Sequence, residues 1–166
     1  MASITHRGNE VHTNGELPVK GTKAKDFSMA RIDMSAATLA DYAGKRLVLN
    51  IFPSIDTPTC AQSVRVFNEK AAGLANTKIV NVSRDLPYAQ KRFCGAEGIE
   101  NAEVLSDFNT GSFGKDYGLE MTNGRMAGLH ARAVIVIDEN SNIIYTELVA
   151  DISSEPNYEA ALAVLK

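Results

Sequence analysis

The stretch Leu47-Val48-Leu49-Asn50-Ile51-Phe52-Pro53-Ser54-Ile55-Asp56-Thr57-Pro58-Thr59-Cys60 passes from a strand pattern to a helix pattern with almost no linker. Leu47 to Phe52 is a short apolar run closed by Pro53, as in a buried strand. Pro58 suits the first turn of a helix, where its missing N–H leaves no bond unmade. Asp56 or Thr57 can cap that turn by accepting from a free backbone N–H. Val64, Phe67, Ala71 and Leu74 then recur at helical spacing, which predicts a helix from about Pro58 to Ala75. Cys60 therefore falls in the first turn of a helix that follows closely on a buried strand.

The alternation continues toward the C-terminus. Ile79 to Ser83 reads as a strand, and Asp85 can cap a short helix from Pro87 to about Cys94. Glu103 to Ser106 is a further strand, and Thr110 to Tyr117 a weak helix ended by Gly118. Ala133-Val134-Ile135-Val136-Ile137 is the strongest strand signal in the chain. Asp138 to Asn142 is a turn, after which Ile143 to Val149 returns as an antiparallel strand. Ser153-Ser154-Glu155-Pro156 opens the last helix, with Tyr158, Ala161, Leu162 and Leu165 on one face. Toward the N-terminus, Gly8-Asn9 and Asn14-Gly15 punctuate short extended pieces through about Lys20, the signature of one or two small hairpins. The whole reads as an α/β fold, a mixed sheet flanked by helices on both faces. A thioredoxin-like fold is one such arrangement, and the order of strand, helix with Cys in its first turn, and strand agrees with it. No repeat, linker or low-complexity tract divides the chain, so residues 1–166 are expected to form one domain.

At 166 residues, 45% hydrophobic and 22% charged, the chain has the balance of a globular protein. A chain of this length buries about two thirds of its unfolded surface and needs no disulfide or metal to stay folded. The net charge of −3, with no basic run, argues against a nucleic-acid or membrane surface. Met1 to Glu10 lacks the apolar core of a signal peptide, and no run has the length of a membrane helix, so a cytoplasmic location is expected.

Two cysteines carry the chemistry. At the start of a helix, unpaired N–H groups and the helix dipole stabilise a thiolate. Thr57 lies one helical turn before Cys60, so its hydroxyl can point at the same site. Pro53 closes the strand and can shield the sulfur from water. Arg132 opens the strongest strand; if that strand neighbours the first, its guanidinium reaches Cys60, where its charge and donors assist reaction. A dithiol reductase would carry Cys-x-x-Cys here, but Thr57 stands at the first Cys position. A lone nucleophile goes to a sulfenic acid, which then needs a second thiol. Cys94 is the one other cysteine in the chain.

Pro53-Ser54-Ile55-Asp56-Thr57-Pro58-Thr59-Cys60 resembles the Pro-x-x-x-Thr-x-x-Cys motif of the peroxiredoxins. The surrounding sequence is closer still to the bacterial thiol peroxidase branch, an atypical two-cysteine type. Ser83-Arg84-Asp85-Leu86-Pro87-Tyr88-Ala89-Gln90-Lys91-Arg92-Phe93-Cys94 resembles that branch's resolving segment, and Ser106-Asp107-Phe108, Phe113-Gly114, Tyr117-Gly118 and Ala131-Arg132-Ala133-Val134 match it too. The likeness covers nearly the whole chain. It implies a thioredoxin-like fold with an N-terminal hairpin, and a site of Pro53, Thr57, Cys60 and Arg132. It implies Cys60 as peroxidatic and Cys94 as resolving, closing an intramolecular disulfide. It further implies a hydroperoxide substrate, organic hydroperoxides being favoured, thioredoxin as reductant, and a homodimer. Two positions depart from the pattern: Tyr88 stands for an expected Phe, and His130 for an aliphatic residue. Neither removes a reacting group, but His130, two residues from Arg132, is expected to alter the polarity there.

Two buried inert thiols, a cap-only Thr57 and a strand-edge Arg132 in water would each account for one residue but not for the set. A redox-responsive binding module would use the disulfide without needing Pro53, Thr57 and Arg132. His6, His12 and His130 are too scattered for a metal site, so neither metal nor organic cofactor is expected. Thr110 to Asp116 lacks the glycine spacing of a phosphate loop, and the Asp138 turn lacks the glycine of a calcium loop. Asn81-Val82-Ser83 matches a glycosylation sequon but lies in an expected strand.

Overall fold

A computed structural model of the chain describes residues 1–99 and 102–166. Strands β1 (Ser3–His6) and β2 (Asn9–His12) form the N-terminal hairpin. Its two turn residues, Arg7 and Gly8, have φ of 51° and 82°, the positive values that a tight two-residue hairpin turn requires. The chain continues through β3 (Ser28–Arg31), β4 (Ala36–Thr38), a 3-10 turn (Leu39–Tyr42), β5 (Arg46–Ile51), helix α1 (Pro58–Lys70) and β6 (Thr77–Ser83). Then come α2 (Pro87–Glu97), β7 (Glu103–Ser106), α3 (Ser112–Asp116), β8 (Ala133–Ile137), β9 (Ile143–Leu148) and α4 (Tyr158–Ala163).

Seven strands make one sheet in the order β4-β3-β7-β6-β5-β8-β9. β5, β6 and β7 run parallel, and β8 and β3 join them antiparallel on either side. The mixed α/β sheet anticipated from the sequence is therefore present, with its N-terminal hairpin. The sequence reading did not anticipate β3 and β4. Four and three residues long, they are too short to set up a period.

Alternate residues of the central strands feed two cores. Leu47, Leu49, Ile51, Val80, Val82, Leu105 and Ile135 pack with Phe27, Phe113 and Tyr117 on one face. Val48, Val134 and Val136 pack on the other with Phe67 of α1 and Leu162 of α4. Two buried asparagines sit on the α1 face and are linked to each other: Asn50 Nδ2 donates to Asn81 Oδ1 at 2.9 Å and to Ser63 Oγ at 3.1 Å.

Helix ends differ from the sequence reading for local reasons. α1 stops at Lys70 because the chain turns at Gly73, whose φ is 89°. Leu74 still packs on the core, which is why it kept the helical period. The last helix starts at Tyr158 rather than Ser153. Ser153 is held in a turn, its N–H donating to Asp151 Oδ1 at 2.9 Å, and Asn157 caps the helix by accepting from the Ala160 N–H at 3.0 Å.

The register matters most for the site. Ile51 at the end of β5 pairs with Ala133 at the start of β8, and with Val82 near the end of β6. The loop after β5, the turn after β6 and Arg132 before β8 are thus gathered at one end of the sheet. That end lies beyond the carboxyl ends of parallel strands, where open α/β sheets leave a crevice.

Candidate active site

Thr57 caps α1 and Pro58 is its first residue, so Cys60 occupies the third position of the helix. The Thr57 hydroxyl accepts from the Cys60 N–H at 3.4 Å and donates to the Ser54 carbonyl at 3.1 Å. The hydroxyl is thus held at the foot of the helix, beside the cysteine. Pro53 is buried where the chain leaves β5. Phe52, Ile55, Ala61, Val64 and Phe93 enclose Cys60, which has no exposed surface.

Arg132 crosses to the same point from the start of β8. Its Nη2 donates to Cys60 Sγ at 3.2 Å, and its Nε donates to the Ile152 carbonyl at 3.0 Å. Arg132 as a whole is 2% exposed. Its Nη1, also buried, has no hydrogen-bond partner among the described residues. A buried unsatisfied donor is costly, and one lying beside a nucleophile suits a group that arrives with the substrate. The structure thus brings Thr57, Cys60 and Arg132 together, with Pro53 in the connecting loop.

Cys94 sits in the last turn of α2 and is half-buried against the apolar cluster that encloses Cys60. Both cysteines are free thiols. Burial pushes the Cys94 thiol above its usual value. The turn is closed by Gly98, in the left-handed conformation at φ 66°, whose N–H donates to the Cys94 carbonyl.

Two residues take places that the sequence reading did not assign. Asp85 does not cap α2; the cap position is Leu86, with no side-chain bond. The Asp85 carboxylate instead turns to the loop after β5 and accepts from the Ser54 hydroxyl and the Ile55 N–H, each at 2.7 Å. An Asp just before Leu-Pro carries an ordinary cap signature, and nothing nearby in the sequence points to partners thirty residues back. His130 does not tune the Arg132 site. It is wholly buried, its Nε2 lies 2.9 Å from Asp107 Oδ2, and its ring meets Phe113 edge-on at 5.8 Å, in the core on the other face. Tyr88 is exposed, so its hydroxyl stays in water. Among the described residues, no group of three or more His, Cys, Asp or Glu side chains is placed to hold a metal.

The Redoxin family model covers residues 19–162. Thiol peroxidases of Mycobacterium tuberculosis and Mycobacterium bovis are each 54% identical over 165 residues, 99% of this chain and 99% of theirs. The chain belongs to the thiol peroxidase family. A peroxiredoxin-like protein from Aquifex aeolicus superposes with a TM-score of 0.94 at 33% identity, over 99% of this chain and 96% of its own. A thiol peroxidase from Chromobacterium violaceum superposes at 0.91 over 98% and 94% of the two chains; at 19% identity it attests the thioredoxin-like fold alone. As a thiol peroxidase the chain is an enzyme, and its two cysteines stand on α1 and α2, which contribute to one apolar cluster.

Proposed function

We propose that this thiol peroxidase reduces hydrogen peroxide and organic hydroperoxides through Cys60 and is returned to its dithiol form by thioredoxin. The observation that carries the reading is the Arg132 guanidinium, with one N–H on the Cys60 sulfur at 3.2 Å and a second N–H group unpaired beside it. The Cys60 thiolate attacks the terminal peroxide oxygen. The S–O bond forms as the O–O bond breaks, sulfur is oxidised, and the leaving oxygen takes a proton to depart as alcohol or water. Arg132 complements the charge on sulfur and the charge developing on the leaving oxygen. The Thr57 hydroxyl accepts from or donates to the bound peroxide, and Pro53 helps keep water out.

The Cys94 thiolate then attacks the sulfenic sulfur. A disulfide forms, the S–O bond breaks, and hydroxide leaves as water. Because the two sulfurs belong to separate helices, one segment unwinds between the steps; α2, with Gly95 in its last turn and Gly98 closing it, is the mover. An external dithiol reduces the disulfide by exchange. The remaining parts of this reading are a single domain over residues 1–166, a homodimer, and a cytoplasmic antioxidant role that needs no metal or organic cofactor. No described helix is long and apolar enough to cross a membrane.

The test is peroxide consumption with a thioredoxin system. Cys60→Ser is expected to abolish turnover, and Cys94→Ser to stop after about one equivalent of peroxide, since the sulfenic acid then has no internal thiol. Continuing turnover in Cys94→Ser would remove Cys94 from the mechanism. Slow wild-type turnover with a readily formed disulfide would make the protein a redox switch instead.

A further inference from the structure

The loop between β5 and α1 has no regular structure, yet it sets where Thr57 and the first turn of α1 stand. Asp85 holds it from across the sheet end. Its Oδ1 accepts from the Ser54 hydroxyl at 2.7 Å, and its Oδ2 from the Ile55 N–H at 2.7 Å and the Ser83 hydroxyl at 2.5 Å. Hydrogen bonds to an ionised acceptor are the strong ones. From Ser54 the chain of contacts runs on: its carbonyl accepts from the Thr57 hydroxyl at 3.1 Å and from the Thr57 N–H at 3.2 Å. Thr57 in turn accepts from the Cys60 N–H. Asp85 is itself fixed, since its backbone N–H donates to Ser83 Oγ at 3.3 Å and its carbonyl accepts from the Ser106 hydroxyl. Gln90 braces the same point, donating to Ser83 Oγ at 3.2 Å and to the Leu105 carbonyl at 2.9 Å.

We propose that Asp85 is a positioning residue for the peroxidase reaction. It touches no reacting atom, but through Ser54 and Ile55 it holds the Thr57 hydroxyl and the Cys60 turn in register with Arg132. It also stands at the entrance of α2, whose far end carries Cys94. The anchor therefore keeps the Cys60 side fixed while α2 opens from its C-terminal end. This rests on the reading of Cys60 as the residue that attacks peroxide.

The experiment is single-turnover sulfenic acid formation with hydrogen peroxide in the Cys94→Ser protein, trapped with dimedone and weighed by mass spectrometry. Adding Asp85→Ala is expected to slow the reaction by about 10- to 100-fold, the size of effect that a small misplacement produces. Asp85→Asn is expected to recover most of the rate. Its amide oxygen still accepts from Ile55 and Ser83, and its NH2 donates to the Ser54 oxygen. Alkylation of Cys60 by iodoacetamide, which needs a reachable thiolate but no aligned O–O bond, is expected not to fall. A full peroxide rate in Asp85→Ala overturns the proposal. So does an Asp85→Asn variant as slow as the alanine, or a parallel loss of alkylation. If Asp85→Ala does not fold, Ser54→Ala and Asp85→Asn carry the test, with a slowed Ser54→Ala supporting the proposal and an unchanged one overturning it. No sulfenic acid in the parent Cys94→Ser protein would overturn the assignment of Cys60 itself.

Discussion

Arg132 makes two contacts at once with one planar group, Nε to the Ile152 carbonyl and Nη2 to the Cys60 sulfur. A lysine offers a single ammonium on a flexible stem and cannot reproduce both, so the exchange is not conservative here. Arg132→Lys is expected to slow the reaction of Cys60 with peroxide by about 10²- to 10³-fold, the usual loss when an aimed donor is removed. The Ile152 carbonyl is then left short of a donor, which costs about 1–3 kcal/mol of stability. Stopped-flow mixing with peroxide and a thermal melt check the two parts. A lysine variant near the wild-type rate would mean that positive charge alone suffices. Arg132 was open to sequence reading because it borders the strongest strand, and strand neighbours are few. Thr57 and Pro53 were open to it because their relation to Cys60 is local. Asp85 was not, since its cap signature is equally satisfied by a local role, and only the pairing of β5 with β6 brings Ser54 within reach.

At the scale of the element, α2 must be stable enough to bury Phe93 and Gln90 yet weak enough to release Cys94. Its Leu86 cap position supplies no side-chain bond and its last turn hangs on Gly98. Burial adds a pH dependence of known sign. The Cys94 thiol is pushed above its usual value of 9.0, so the folded helix favours the neutral thiol. That part of the helix's stability is complete below about pH 9 and is lost as pH rises through the elevated folded value. Protection from amide exchange over residues 92–97, relative to the free-peptide rate at each pH, is therefore expected to fall on the alkaline side, and disulfide closure after sulfenic acid formation to quicken with it. In Cys94→Ala the alkaline loss of protection is expected to vanish; if it persists, another group loosens the helix. The sequence announced this helix through Pro87 and placed Cys94 at its end. It carried no measure of how far the helix ran past Cys94 to Glu97, because helix ends are set by a glycine cap rather than by apolar period.

Across the whole molecule, four buried or half-buried charged and titratable groups tie together segments that are distant in sequence. Arg84, from the turn after β6, lies 3.6 Å from Asp107 and 3.3 Å from Glu120, and donates to the Gly111 carbonyl at 3.0 Å. Asp107 accepts from His130 at 2.9 Å and from the Gly114 N–H at 2.9 Å. A Cβ on Gly114 would stand 2.7 Å from the His130 ring, so the imidazole fits only against glycine. The sequence reading took His130 as a neighbour of Arg132. Its true partners come from the turn after β7 and from α3, through a sheet order that the residues alone did not announce. The cluster has an acid limit. Burial pushes His130 below its usual 6.5, against the opposing pull of Asp107, so the fold holds it neutral. Burial raises the Asp107 carboxyl, but its bonds to His130, Gly114 and Phe113 outweigh that and hold it below 3.8, so Asp107 stays ionised until more acid conditions. A depressed histidine contributes stability that is present above 6.5 and is lost as pH falls through its lowered folded value. The melting temperature is expected to drop from about pH 7 to about pH 5. In His130→Leu the drop is expected to be smaller, because no buried imidazole then takes up a proton on unfolding. Equal slopes in the two proteins would show that His130 is not the group that limits the fold in acid.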